Sequence, residues 1–353
     1  MSTLSTVNLK NPASSSNNIV LGADGGTTLQ LSSFNGGPLA GFRNRIINGD
    51  MRIAQRGTSF AAIANGAYSL DRWVWAQSGA MVCTVSQSTD VPNNTFQSSY
   101  KVDVTTVDTS IAAGDYAQIV QKIEGYNVRD LIGTSFTLSF WVKSPKTGVH
   151  CVSFRNVDFP DRSYIREYTV AAANTWEYKT LTINNGLITS GTWNWTNSTG
   201  LSITFVLAAG STFQTTADAW QTGNFAATSN QVNVMDNTAN DFFLTGVQLE
   251  PGSVATPFEQ RPIGTELALC QRYYCEQMAH AQSPSVGNMI TPVYFPVAMR
   301  AIPTRTNISS GSSVSATAIA LIVSNEQAAY FQIQATGANG YVLNRLDAYS
   351  AEL

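Results

Sequence analysis

Apolar and polar residues alternate with a period of two along most of this chain. The runs at 100–107 (YKVDVTTV), 137–144 (TLSFWVKS), 178–183 (YKTLTI) and 201–208 (LSITFVLA) follow the pattern, and 241–250 (DFFLTGVQLE) closes the set. A strand points successive side chains to opposite faces, so each run predicts a strand with one buried face. β-branched and aromatic residues fill these runs, and Gly, Asn, Pro and Ser separate them. In the second of these runs, taken back to Phe136, the residues Phe136, Leu138, Phe140 and Val142 fall on one face and Trp141 on the other. No useful helical period interrupts residues 43–261. The expected fold is mainly β: an antiparallel sandwich of jelly-roll type, followed by a short helix and a small C-terminal β unit.

The period changes at 262–282. Leu267, Cys270, Tyr274, Met278 and Ala281 follow spacings of three and four. They predict an amphipathic helix of about four turns, with Thr265 as its N-cap and Glu266 against the N-terminal dipole. Such a helix either docks on its own domain or meets copies of itself on a three-fold axis. Residues 283–353 return to β, broken by Pro284, Pro292, Pro296 and Pro303, with alternating runs at 316–324, 328–336 and 340–350. Residues 1–42 are small and polar and bury no core of their own. There, Gly25-Gly26 reads as a hairpin turn and 30–34 as a weak strand, a segment suited to ordering against other copies or a socket.

Composition sharpens this picture. Of 353 residues, 12% are charged, about half the usual share, and the net charge is -3. A neutral, hydrogen-bonding surface fits an exterior β-protein. No basic run supports nucleic-acid binding. No stretch is long and apolar enough for membrane insertion, and the first ten residues do not read as a secretory signal. Cys83, Cys151, Cys270 and Cys275 are widely spread, so they read as buried free thiols. With two histidines, His150 and His280, metal sites and Ser-His-Asp chemistry lack raw material. No catalytic residue, metal or cofactor is expected. Glu124, Asp158, Asp161, Glu167 and Glu177 supply carboxylates, but no spacing pairs them for glycoside hydrolysis.

Two stretches carry a family resemblance. NRIINGDMRIAQRGTSF (44–60) with YSLDRWVW (68–75), and DFFLTGVQLEPGSVATPFEQRPIGTELALCQRYY (241–274), resemble the start and the end of the jelly-roll in many phage tail-fibre proteins. FPVAMRAIPT (295–304) is similar to sequences that follow it. The resemblance implies a virion location, a homotrimer, attachment to tail or baseplate proteins through residues 1–42, and a distal tip at 283–353. The framing also distantly resembles carbohydrate-binding jelly-rolls. There, an acidic residue at the position of Arg52, with Asp on the last strand, often holds calcium; Arg52 puts a cation in that place. The simpler expectation is that Asp50 makes a turn and Arg52 pairs with a carboxylate. Asn48-Gly49-Asp50 suits a tight turn with Gly at positive φ. In Asp71-Arg72-Trp73, Trp73 is expected in the core and an ion pair at the rim. Pro251-Gly252 reads as a type II turn, and Thr256-Pro257-Phe258 as an edge strand.

Glycan recognition uses aromatic faces beside amide, hydroxyl and carboxylate groups. Trp193 and Trp195 share one face if their segment is extended, and offer a platform unless they face the core or a neighbouring subunit. Trp220, Tyr164 and Tyr168 are weaker candidates. At the C-terminal tip, Tyr330, Tyr341, Asn339 and Asp347 are the candidate ligand contacts. Two functions follow: multivalent, non-catalytic attachment to a host surface polysaccharide, or a structural adaptor or connector fibre without receptor contact.

Overall fold

A computed structural model describes residues 42–184, 186–283, 285–338 and 340–353, preceded by three short strands. The strands are β1 (Asn8–Leu9), β2 (Ile19–Leu21), β3 (Thr27–Leu29), β4 (Ser59–Phe60), β5 (Trp73–Ser78), β6 (Val82–Ser88), β7 (Ser99–Thr106) and β8 (Tyr116–Glu124). Then come β9 (Phe136–Lys143), β10 (Gly148–Arg155), β11 (Arg162–Val170), β12 (Glu177–Ile183), β13 (Thr199–Ala209), β14 (Trp220–Thr222) and β15 (Asp241–Pro251). Helix α1 (Ile263–Gln271) leads to β16 (Tyr274–Ser283), β17 (Gly287–Tyr294), β18 (Thr304–Ser309), β19 (Ser312–Val314), β20 (Ala316–Ser324), β21 (Ala328–Ala335) and β22 (Gly340–Ser350). β2 pairs antiparallel with β1 and β3. Residues 25–26 and 30–34, where a turn and a strand were expected, lie outside the described residues.

Two six-stranded antiparallel sheets make the sandwich, in the orders β14-β11-β10-β13-β8-β5 and β12-β9-β15-β7-β6-β4. The alternation decides what lies between them. Phe136, Leu138, Phe140 and Val142 are buried in one core cluster with Trp73, Trp75, Phe154, Phe205 and Phe242. Trp141 turns outward against Tyr178, as its place in the alternation requires. Inside, Phe140 meets Phe205 and Tyr168 edge-to-face at 5.0 and 5.1 Å, and Phe136 meets Phe154 at 5.3 Å. Each such pair adds about 0.5–1.5 kcal/mol beyond its buried area. All four cysteines are buried free thiols.

His150 lies in this core, stacked on Tyr168 at 5.5 Å, with Nε2 donating to the Lys146 carbonyl at 3.0 Å. Burial pulls its pKa below the usual 6.5. The folded chain therefore keeps a neutral ring where the unfolded chain takes a proton. That contribution is complete above pH 6.5 and declines as pH falls below it. His150→Phe is expected to flatten the acid side of the stability curve, read from urea midpoints between about pH 7 and 5. An unchanged slope would show that the ring is not the titrating group.

The stretch 44–53 crosses one end of the sandwich and reads onto β15. Arg45 N–H donates to Leu249 O at 2.8 Å, Val247 N–H to Gly49 O at 2.9 Å, and Leu249 N–H to Asn44 Oδ1 at 3.0 Å. Asn48 is the hub. Its amide donates to Ile53 O and Asp71 O at 2.9 and 3.0 Å and accepts from Ile53 N–H at 2.9 Å, while its carbonyl receives the Trp73 indole N–H at 3.0 Å. Arg261 donates to the Ile46 and Asn44 carbonyls and pairs with Glu266, which also accepts from Asn48 N–H. The two resembling stretches are thus halves of one buried polar network. Arg52 pairs with Asp50, as expected. The positive φ values fall on Asn48 and Met51, however, and not on Gly49. Thr256-Pro257-Phe258 is not a strand; Phe258 instead packs edge-on against Phe96 at 5.3 Å.

The helix expected over 262–282 ends at Gln271. Its N-cap is Pro262, not Thr265, and Arg272 N–H closes it on the Ala268 and Cys270 carbonyls. Residues 274–283 become β16 instead, paired with β22 from Tyr274↔Ser350 to Ser283↔Gly340. The spacing of Tyr274 and Met278 suits a helix, but Cys275 and Ala279 are buried while Met278 and His280 are exposed. A ladder to a distant strand overrides the local period.

β16, β22, β18 and β19 form one small sheet, and β17, β21 and β20 another. Phe295, Phe331, Val293 and Tyr349 lie in their shared core. The chain end clasps this unit to the sandwich. Ala351 N–H donates to Tyr273 O at 2.7 Å, and Leu353 O accepts from Tyr68 and Lys122, both at 2.7 Å. Glu352 pairs with Arg56 at 2.9 Å and with Arg72. The two guanidiniums lie over the rings of Tyr274 and Tyr273, at 3.6 and 3.5 Å. The rim ion pair expected at Asp71-Arg72 is therefore a buried junction, with Arg72 committed to Glu352.

Candidate ligand-binding groove

The outer face of the β14-β11-β10-β13-β8-β5 sheet carries a recess. β8 reads YAQIVQKIE, so Ala117, Ile119 and Ile123 enter the core while Tyr116, Gln118, Val120 and Lys122 point outward. The segment after β13 covers half of that face. There Ala226 and Ala227, with Phe213 and Phe225, pack on Cys151, Ile165 and Val206. The uncovered half is a groove of 370 Å³, with Val74 and Ala76 on one side and Val157, Asp158 and Pro160 on another. That volume lies at the small end of ligand sites.

Its chemistry is mixed. Tyr116 and Phe213 meet edge-to-face at 5.1 Å and form an aromatic wall. On the floor, Arg155 donates to Gln118 Oε1 at 3.0 Å, Thr204 Oγ1 at 2.9 Å and Asn224 Oδ1 at 3.1 Å. Burial lowers its pKa to about 10, which leaves it charged at neutral pH. Lys122 stands nearby, its own pKa lowered by burial and raised in part by Asp158. Asp158 also accepts from Thr199 N–H at 3.1 Å. Rings, an amide network and fixed cations suit a polar ligand with apolar faces.

A second recess of 470 Å³ lies on the opposite outer face, between Phe96, Trp141, Tyr178 and Phe258. Its rings pack on one another, Trp141 on Tyr178 at 5.3 Å and Phe96 on Phe258 at 5.3 Å, and among the described residues no charged side chain lines it.

Trp193 and Trp195 do come together. Their rings stack at 5.4 Å with 17° between planes, and Trp220 meets Trp193 edge-on at 5.7 Å. All three are half-buried and packed against the sandwich core. Stacking covers one face of each indole, so the pair is a wedge at the sandwich edge more than an open platform. Tyr164 and Tyr168 are buried. Asp161 binds Thr192 N–H at 3.1 Å, tying the Trp193 segment to the loop whose Val157, Asp158 and Pro160 line the groove.

The C-terminal candidates do not converge. Tyr330 is half-buried opposite Pro292, on the face that exposes Ile290 and Tyr294. Tyr341 lies on the other sheet, opposite Gln282 and Val314. Asp347 is fully buried between Arg345 at 3.0 Å and Arg305 at 3.3 Å, which leaves no free face for a ligand. Asn339 lies outside the described residues. The carboxylates are also dispersed: Glu124 pairs with Arg272, Glu167 accepts from Thr228, and Glu177 holds two backbone amides. The groove residues Tyr116, Gln118, Lys122 and Arg155 were missed by sequence reasoning. The alternation in β8 was the available signal, and the same alternation is found in any strand with one solvated face.

No family model matches the chain, and no curated protein matches it. Solved structures do match. The enzymatically active domain of tailspike protein 4 from bacteriophage CBA120 is 18% identical, over 54% of this chain and 21% of that one, with a TM-score of 0.30. A putative sugar binding protein from Bacteroides thetaiotaomicron is 11% identical, over 59% of this chain and 100% of that one, with a TM-score of 0.36. The family 11 carbohydrate-binding module of a cellulosomal cellulase from Clostridium thermocellum is 12% identical, over 56% and 100%, with a TM-score of 0.30.

Proposed function

We propose that this chain is a subunit of a phage tail fibre or spike that attaches to host surface polysaccharide by reversible, non-catalytic binding. The outer-face groove is the sugar-binding surface. Its aromatic wall beside a fixed amide and guanidinium floor is the observation that carries this reading. The charge-poor, hydroxyl- and amide-rich composition and the tail-fibre-like stretches at 44–75 and 241–274 support the virion setting. Residues 1–42 serve as the tail or baseplate anchor. The chain acts as a homotrimer, so weak sites on linked copies give a high effective concentration at the cell surface. The apolar face of β17, with Ile290 and Tyr294 exposed, is the surface for a neighbouring copy. Ile290→Asp with Tyr294→Asp is expected to shift sedimentation toward the monomer; an unchanged mass would remove this face from the assembly.

The groove is tested on immobilised polysaccharide from the strain that the phage infects. Tyr116→Ala with Phe213→Ala should weaken binding at least tenfold, about 1.4 kcal/mol, with the melting curve little changed. Trp141→Ala with Tyr178→Ala, in the second recess, should leave binding intact. The reverse pattern would move the site to the other face. No binding by intact trimers that still assemble into particles would favour a connector fibre carrying another receptor-binding protein.

A further inference from the structure

Arg155 is the anomaly of the groove. It is buried, it carries a full charge, and among the described residues no carboxylate pairs with it. Every partner it has is neutral: Gln118, Thr204 and Asn224. A guanidinium has five N–H donors. Two on Nη2 and one on Nη1 are used, and Nε has no partner. Buried charges are ordinarily paired, because the lost hydration must be replaced. The other cation, Lys122, feels Asp158, so the three charged groups lining the groove sum to one positive charge.

We infer that the groove selects an acidic glycan, with a sugar carboxylate supplying the missing counter-charge to Arg155. This rests on the sugar-binding reading of the groove and names its substrate class. A single surplus charge matches a monoanionic carboxylate, as in a uronic acid. The remaining Nη1 hydrogen is a charge-assisted donor, and the neutral partners on Nη2 hold the plane of the guanidinium still. The Tyr116 and Phe213 wall takes the apolar face of the ring.

The test compares the host strain's surface polysaccharide with the same polymer after chemical reduction of its carboxyl groups to alcohols, and with a phosphorylated derivative of the reduced polymer. The full-length assembly is used, and binding is read by biolayer interferometry. The native polymer should bind at least tenfold tighter than the reduced one. The preference should shrink above about 0.5 M salt, where screening acts within a few ångströms. It should persist in Arg155→Lys and disappear in Arg155→Met. If Arg155→Met does not fold, Lys122→Met at the groove edge should lower the preference by a smaller factor. Equal binding of native and reduced polymers overturns the inference and leaves the groove as a neutral-sugar site. Binding of neither overturns the groove reading as well. Tighter binding of the phosphorylated polymer overturns the carboxylate class.

Discussion

Glu352→Ala is expected to destabilise the chain by about 3–5 kcal/mol. Glu352 receives Arg56 and Arg72, and its side chain is 6% exposed. Arg72 is fully buried over Tyr273, with a further bond to the Lys122 carbonyl. Deleting the carboxylate leaves the buried Arg72 without its ion-pair partner and Arg56 with Asp71 alone, at 4.0 Å. Arg300 binds the Ala351 and Glu352 carbonyls and also Asn197 O, so loss of the tail would loosen the contact between the two units. Urea unfolding measures the loss, and limited proteolysis near residue 272 should show earlier release of the C-terminal unit. A change under 1 kcal/mol would mean that the pair is solvated. Replacing Arg72 and Glu352 together with Met and Leu should cost far less than either change alone, because a buried pair exchanged for packed apolar groups is often near neutral.

Gly49→Ala is expected to cost about 3 kcal/mol, at the upper end for overpacking. An added Cβ would stand 2.2 Å from the Val247 carbonyl oxygen, and that atom belongs to the backbone of β15. No rotamer change relieves such a contact. The chain must shift where Gly49 O accepts from Val247 N–H, and Asn48 beside it anchors Trp73. Thermal melting of the variant should drop by several degrees, and the Trp73 environment should change in near-ultraviolet circular dichroism. An Ala accepted without loss would show that 44–53 does not lie close on β15. Gly66→Ala, at positive φ with open space around it, separates conformational strain from crowding.

The sandwich was legible because its information is local. Phe136, Leu138, Phe140 and Val142 declare their face by spacing alone, and the structure buries all four. The NGD turn was legible in place but not in cause: Gly49 is required by a neighbour nearly 200 residues away, whereas the left-handed φ falls on Asn48 and Met51. The same limit explains α1. Nothing within 262–282 announces that β22 will recruit residues 274–283 into a ladder. The candidate site failed differently. Aromatic side chains drew attention to Trp193 and Trp195, which stack on each other. Nothing in the sequence around Arg155 sets it apart from other arginines. Its value lies in being buried without an acid, which only the packing of β8, β10, β13 and the segment near Asn224 creates.

The clasp at residues 351–353 also sets an order of events during synthesis. Arg72 leaves the ribosome 280 residues before Glu352. The strands of the jelly-roll are made first, and Arg72 gains its Glu352 partner only after residues 340–350 have been added as β22. A sandwich without residues 351–353 carries Arg72 without that counter-charge on the surface where the C-terminal unit sits. For engineering, an excised sandwich needs Arg72 replaced.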